Sequence, residues 1–251
     1  MKACGAAAAV IVLAGCTASP VPGPWVPEQG AAWHLQLSGT PATTAGVAVY
    51  DVDGADTSAV AVEHLKSGGA RVICYLNGGA REEWRADAGR FPGSVIGEPL
   101  EDWPGERWID IRQLDVVLPI MEDRIADCAA KGFDAVDPDN VDGFLHDTGF
   151  GLLPEDAASY VTELARLAHE HGLTIGLKNA VELLPRVGGT VDFAVNEECQ
   201  QWGECNRYDE FVASGKAVFN VEYTESCSTP AGFSSIRGRV ELDGPTAPCP
   251  S

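Results

Sequence analysis

The stretch Gly132-Phe133-Asp134-Ala135-Val136-Asp137-Pro138-Asp139-Asn140-Val141-Asp142-Gly143 decides the fold. It begins as a short apolar run and turns acidic as it ends, which is typical of a buried parallel strand that delivers polar side chains to an open edge. Because side chains alternate along a strand, Asp137 and Asp139 share one face. Two carboxyl groups this close raise each other's cost of ionisation, so their presence together indicates a functional site.

The same pattern recurs on both sides of this stretch. Strands are predicted at residues 33–39, 47–53, 71–77, 174–179, 192–197, 217–223 and 235–242, and helices at 58–66, 117–129, 154–171, 181–187 and 208–214. Strand and helix alternate about eight times, which predicts an α/β fold with a parallel sheet and, at this length, a single (β/α)8 barrel of the TIM type. A doubly wound open sheet is the alternative, but its glycine-rich phosphate turn is missing after the first strand.

The N-terminus has the pattern of a bacterial secretory signal. Lys2 precedes an apolar run, and Leu13-Ala14-Gly15-Cys16 resembles the lipobox of bacterial lipoproteins. We expect a signal peptide at 1–15, a lipidated Cys16 and linker at 16–30, and one domain at 31–251. The run is shorter than the ~20 residues that span a bilayer. The expected location is therefore the cell envelope or the exterior, with membrane contact only through a lipid anchor at Cys16.

The net charge limits the possible partners, and the cysteine content predicts disulfide bonds. The formal net charge is −20, so nucleic acid and anionic lipid head groups are poor partners. Six of the eight cysteines follow Cys16, and an even number in an oxidising compartment favours disulfide bonds. Cys199 is expected to pair with Cys205 and Cys227 with Cys249, whereas Cys74, in a strand, and Cys128, in a helix, could be buried thiols. No zinc spacing is present, and the calcium-loop pattern at 137–148 is incomplete, so we expect no metal and no cofactor.

Polar side chains gather at the ends of the predicted strands, and in a barrel this face carries the active site. Hydrolysis of a glycosidic bond needs two carboxyl groups on opposite sides of the anomeric carbon. Asp139 and Glu197, on strands separated by one strand, are the predicted catalytic pair, with Asp137 as the alternative to Asp139. The predicted substrate-binding residues are Asp51, Asp53, Tyr75, Asp137, Asn140, Lys178, Asn179, Trp202, Glu222 and Tyr223. A long loop predicted at 81–111 carries further tryptophans and acids, and loops of this length are usually functional.

The sequence resembles glycoside hydrolase family 114, the endo-α-1,4-polygalactosaminidase family. The resemblance is carried by motifs that include Trp103-Pro104-Gly105-Glu106-Arg107-Trp108, the stretch from Gly132 to Gly143, Gly176-Leu177-Lys178-Asn179 and Phe193-Ala194-Val195-Asn196-Glu197. It implies a barrel enzyme that cuts α-1,4-linked galactosamine chains internally with retention, Asp139 being the nucleophile and Glu197 the acid/base.

The polymer implied by this resemblance carries free amines, so it is a cationic amino-sugar polysaccharide, which agrees with the acidic composition. The protein is expected to be a monomer. A non-catalytic carbohydrate-binding envelope lipoprotein is the alternative function, and it would not need both Asp139 and Glu197. A scaffold protein of envelope polysaccharide synthesis is a third possibility.

Overall fold

The computed structural model describes residue 1 and residues 23–250. The predicted signal peptide, Cys16 and the first part of the linker lie outside these residues. The strands are β1 (Trp33–Gln36), β2 (Val49–Asp53), β3 (Arg71–Asn77), β4 (Ala80–Glu82), β5 (Ile96–Pro99), β6 (Glu106–Ile109), β7 (Ala135–Asp139), β8 (Thr174–Lys178), β9 (Phe193–Glu197), β10 (Val218–Glu222), β11 (Phe233–Arg237) and β12 (Ala247–Pro248). The α-helices are α1 (Ala59–Lys66), α2 (Leu114–Lys131), α3 (Pro154–Glu170), α4 (Leu184–Val187), α5 (Cys199–Trp202) and α6 (Asp209–Ala213). None of the helices in these residues is long and apolar enough to cross a bilayer.

Eight parallel strands form the centre of the fold. Their hydrogen-bonded order is β1-β2-β3-β7-β8-β9-β10-β11, which follows the chain, and β12 pairs antiparallel with β11. The predicted α/β class and parallel sheet are confirmed. Within residues 23–250 no ladder joins β1 to β11, and no helix lies between β1 and β2 or between β10 and β11. The chain therefore has fewer helical crossovers than the predicted (β/α)8 barrel.

The sheet is strongly curled. One apolar cluster on its inner face includes Trp33 of β1, Phe219 of β10 and Ile236 of β11, and the rings of Trp33 and Phe219 are 5.1 Å apart. A flat sheet of eight strands spaced ~4.8 Å apart would separate its edges by roughly 33 Å. The contact between β1 and β10, which are six strand spacings apart in this order, therefore requires the sheet to curve round, and the carboxyl ends of the parallel strands then surround one opening.

The helices cover the outer face of the curled sheet. Adjacent strand residues alternate between the two faces: Val72 joins the outer apolar cluster and Ile73 the inner one. The helix ends follow the expected signals. Ser58 accepts a hydrogen bond from the backbone N–H of Ala61 at the start of α1, and Gly132, with φ of 89°, ends α2 in the left-handed conformation that glycine favours.

The predicted loop at 81–111 has regular structure of its own. Between β3 and α2, strands β4, β5 and β6 form a separate antiparallel sheet in the order β4-β6-β5. Glu82 of β4 lies directly opposite Glu106 of β6. We call this unit the inserted sheet. It stands beside the opening at the carboxyl ends of the parallel strands and supplies part of the wall described below.

Three disulfide bonds are present in the described residues. The predicted pairs Cys199–Cys205 and Cys227–Cys249 are confirmed. Cys74 and Cys128 are not thiols but form a third bond, because the outward-facing side of β3 packs against α2 and brings the two sulfur atoms together. This bond encloses a long segment of chain that contains the whole inserted sheet.

Candidate active site

A cavity of about 1010 Å³ lies at the carboxyl ends of the parallel strands. The parallel strands contribute Asp53, Asp139, Lys178 and Glu197 to its wall, and the inserted sheet and its loops contribute Trp84, Trp103 and Trp108 with several acids. Twelve carboxyl side chains line the cavity, against two side chains that are basic at every ordinary pH, Arg85 and Lys178. The cavity is thus suited to a cationic ligand.

Lys178 is the centre of the site. Its side chain is only 1% exposed, and its Nζ lies 3.5 Å from Glu197 Oε2, 3.7 Å from Asp137 Oδ2 and 3.9 Å from Asp139 Oδ2. Since Asp139 and Glu197 both reach this one nitrogen, their nearest oxygens are at most about 7.4 Å apart, the sum of the two distances. The opposed carboxyl pairs of glycosidases are ~5 Å apart in retaining enzymes and ~6.5–9.5 Å apart in inverting ones. The two carboxyl groups can therefore flank one anomeric carbon.

Glu197 is held by three hydrogen bonds with two neighbours, Tyr223 and Asn179. The hydroxyl of Tyr223 and the amide Nδ2 of Asn179 donate hydrogen bonds to its carboxylate, and its backbone N–H donates to Asn179 Oδ1. Burial alone would raise the pKa of Glu197, but the charge of Lys178 and these hydrogen bonds lower it below the usual value. The lowered pKa favours the ionised form of Glu197.

Asp139 has a different environment. It accepts hydrogen bonds from the hydroxyl of Tyr75 and the backbone N–H of Asn140, both at 2.8 Å. Burial raises the pKa of Asp139, and although Lys178 opposes this rise, the charge of Glu197 adds to it. Asn140 takes a left-handed conformation with φ of 60°, and its amide donates to Asn77 Oδ1, which fixes the turn beside Asp139.

Asp51 and Asp137 form a buried pair behind this site, and neither is exposed to solvent. Within residues 23–250 no hydrogen-bond partner reaches either carboxyl group. Burial and the charge of Asp137 raise the pKa of Asp51 well above its usual value, and burial raises the pKa of Asp137 to about 7. Burial thus favours the protonated forms of this pair, and Asp137 is the member that faces Lys178, with Oδ2 3.7 Å from Nζ.

The structure brings most of the predicted site residues together. Asp53, Tyr75, Asp139, Asn140, Lys178, Asn179 and Glu197 line the cavity, and Tyr223 reaches it through Glu197. Asp53 is also bound by the guanidinium group of Arg85. Asp51 and Asp137 lie behind the wall, so they support the site and are not part of the cavity surface.

Two predicted substrate-binding residues are placed elsewhere. The Glu222 carboxylate is fully buried and accepts hydrogen bonds from the backbone N–H of Gln200 and the amide of Asn220. The side chain of Trp202 is 70% exposed on α5 and is not part of the cavity wall. This geometry gives no support to a role in substrate binding for either residue.

Several cavity residues were not predicted. Glu82, Arg85 and Glu106 come from the inserted sheet, and His146 stacks on the ring of Trp108 at 4.9 Å. A signal for Glu106 is present in the sequence, since it lies between two tryptophans in one of the motifs that carry the family resemblance. Within residues 23–250 no group of three or more His, Cys, Asp or Glu side chains is arranged to hold a metal ion.

Comparisons with known proteins identify similar glycoside hydrolases. A sequence model of glycoside-hydrolase family GH114 matches residues 16–249. The crystal structure of Aspergillus fumigatus Ega3 in complex with galactosamine is similar, with 34% identity, a TM-score of 0.85, and coverage of 91% of this chain and 99% of that one. The glycoside hydrolase domain of PelA from Pseudomonas aeruginosa has the same fold, with 15% identity, a TM-score of 0.71, and coverage of 88% and 99%. A search of curated protein sequences returned no match.

Proposed function

Since the chain belongs to glycoside hydrolase family GH114, we propose that it is an endo-acting hydrolase of α-1,4-linked galactosamine polymers that works through Asp139 and Glu197. The observation that carries the proposal is the convergence of both carboxyl groups on Lys178 in one large acidic cavity. Protonated amines along the substrate complement the excess of carboxyl groups. The similar Ega3 structure contains galactosamine, which supports the same class of sugar here.

The catalytic cycle that we propose uses the two carboxyl groups in sequence. One attacks the anomeric carbon and forms a glycosyl-enzyme ester while the other protonates the leaving oxygen, and water then hydrolyses the ester with the second group acting as base. Lys178 holds both groups in place and partly neutralises them. Tyr223 and Asn179 fix the orientation of Glu197, and Tyr75 fixes that of Asp139.

Two observations bear on which carboxyl group is the nucleophile. The family resemblance implies that Asp139 attacks and Glu197 is the acid/base. The pKa shifts favour the reverse, because the pKa of Asp139 is raised and that of Glu197 is lowered. A protonated sugar amine entering the cavity adds a positive charge beside several coupled carboxyl groups and redistributes their protons. We propose Asp139 as the nucleophile, and azide rescue of the alanine variants of Asp139 and Glu197 distinguishes the two roles.

The test is a digest of defined α-1,4-galactosamine oligomers with mass analysis of the products. The wild-type protein should release shorter oligomers from internal bonds. Asp139→Asn and Glu197→Gln should each lower the rate by at least about 1,000-fold, since each removes a group that acts in the transition state. Glu198→Gln is the matched control, because Glu198 is adjacent in sequence but outside the cavity wall. A digest without products, or activity that survives both substitutions, would refute the proposal.

We also propose that the domain acts at the cell envelope, anchored through Cys16 on a short linker. The lipobox-like sequence before Cys16 supports this proposal. Cells that express the full chain should incorporate labelled palmitate into the protein, and Cys16→Ser should abolish the labelling. Labelling that persists in the Cys16→Ser variant would refute the anchor.

A further inference from the structure

Among the buried carboxyl groups of the cavity wall in residues 23–250, Glu106 is the one that forms no ion pair. It is 8% exposed and lines the cavity wall. Its Oε2 accepts a hydrogen bond of 2.9 Å from Asn77 Nδ2, and the orientation of that amide is fixed because Asn77 Oδ1 accepts the backbone N–H of Ala80. In residues 23–250 no donor reaches Oε1 of Glu106, and no Lys, Arg or His forms an ion pair with it. One carboxylate oxygen is thus available to a ligand.

The surroundings of Glu106 make this arrangement costly. Glu106 lies directly opposite Glu82 in the antiparallel ladder of β4 and β6, and like charges in that position destabilise a sheet. Arg85 compensates Glu82 by an ion pair at 2.9 Å and binds Asp53 as well. Burial and the charges of Glu82 and Asp139 raise the pKa of Glu106 to about 7. A cation next to Glu106 would relieve all of these unfavourable interactions.

From this geometry we infer that Glu106 binds the protonated amine of a galactosamine unit next to Asp139 and thereby selects free amines over N-acetylated ones. The inference rests on the proposed function and goes beyond it in naming the specificity-determining residue. An N-acetyl group is neutral and bulky, so it would leave the Glu106 carboxylate buried without a counter-charge. A metal ion is a poorer occupant, since no group of three ligands converges there in the described residues.

The test measures binding in the Glu197→Gln background, in which the ligand is not cleaved. The probes are α-1,4-linked galactosamine oligomers and the same oligomers after chemical N-acetylation, titrated by calorimetry at pH 7. The parent should prefer the free amine. Adding Glu106→Gln should reduce this preference by roughly 10- to 100-fold, the usual effect of losing one hydrogen bond to a charged group. Glu106→Asp, which keeps the charge, should retain the preference. Glu210→Gln, on the exposed side of α6, is the control for net charge.

The possible outcomes are distinct. An unchanged ratio of the two affinities in Glu106→Gln, or an equal weakening of both, would overturn the inference and leave the proposed function intact, because the residue would then act only through the shape of the wall. If Glu106→Gln does not fold, loss of the preference in a folded Glu106→Asp variant would overturn it. A parent that binds neither oligomer would remove the proposed function and the inference with it.

Discussion

Replacing Lys178 by methionine should destabilise the protein strongly, although the two side chains are similar in length. The Nζ atom is fully buried and 3.5–3.9 Å from three carboxylate oxygens. At an effective dielectric constant of about 20, each such pair interacts with an energy of about 4 kcal/mol. Protonation of the carboxyl groups in the variant offsets much of the loss. An unpaired buried charge typically costs about 3–5 kcal/mol. We therefore expect the free energy of unfolding of Lys178→Met at pH 7.5 to be lower than that of the wild type by about 3–5 kcal/mol.

The loss should depend on pH. In the wild type, the three carboxylates raise the pKa of Lys178 well above its usual value, so its charge persists throughout the neutral range. Without Lys178, burial and mutual repulsion raise the pKa values of Asp137, Asp139 and Glu197 in the folded variant. A group with a raised folded-state pKa contributes stability below its unfolded-state pKa, and this contribution is lost as pH rises through the folded-state pKa. The difference in free energy of unfolding between the wild type and Lys178→Met should therefore be small near pH 4 and grow toward pH 8.

Urea unfolding at pH 4.5 and pH 7.5 measures this difference. Lys131→Met is the matched control, since Lys131 pairs with Asp127, whose side chain is 57% exposed, and pairs of this kind contribute about 1 kcal/mol or less. A destabilisation by Lys178→Met that is the same at both pH values, or that stays below about 1 kcal/mol at pH 7.5, would refute the view that Lys178 balances the buried carboxyl groups.

Two further predictions test the positions of the catalytic groups. In Gly79→Ala the added Cβ would lie 1.7 Å from the backbone oxygen of Asn140, so the turn beside Asp139 must move. We expect kcat/KM to fall at least about 10-fold and the free energy of unfolding to fall by about 1–3 kcal/mol. Gly89→Ala is the control, because its added Cβ meets no atom within 4 Å, and it should match wild type in both assays. Tyr223→Phe removes a hydrogen bond that lowers the pKa of Glu197, so the pKa of Glu197 should rise in the variant. If Glu197 is the catalytic acid, the basic limb of the pH profile of kcat/KM should then move to higher pH. A move of that limb to lower pH would contradict this role.

The strand ends were the part of the site that the sequence could predict. Asp139, Lys178 and Glu197 end neighbouring parallel strands, and such ends meet at one edge of a sheet whatever the details of packing. The alternation of side chains along β10 also predicts the orientation of Glu222. Phe219 and Val221 belong to the inner cluster, so the side chain of Glu222 faces outward. A stricter count by two along β10 would have excluded it from the substrate-binding set.

The inserted sheet could not be predicted in the same way. Its strands have only three or four residues, too few to show alternation, and its approach to the cavity depends on long-range packing. The Cys74–Cys128 bond is similar, because it depends on the contact between β3 and α2 and not on spacing in the sequence. For these reasons Glu106 and Arg85, which the fold brings to the cavity from a remote segment, are absent from the predicted set.

The most direct test of the central claim, that Asp139 and Glu197 act on opposite faces of one anomeric carbon, is azide rescue. Asp139→Ala and Glu197→Ala would each be incubated with azide and an α-galactosaminide that carries a good leaving group, and NMR would give the configuration of the glycosyl azide. If Asp139 is the nucleophile, Asp139→Ala should give the inverted β-azide and Glu197→Ala the retained α-azide. The opposite pattern would exchange the two roles, and the absence of an azide product from both variants would contradict the catalytic pair itself.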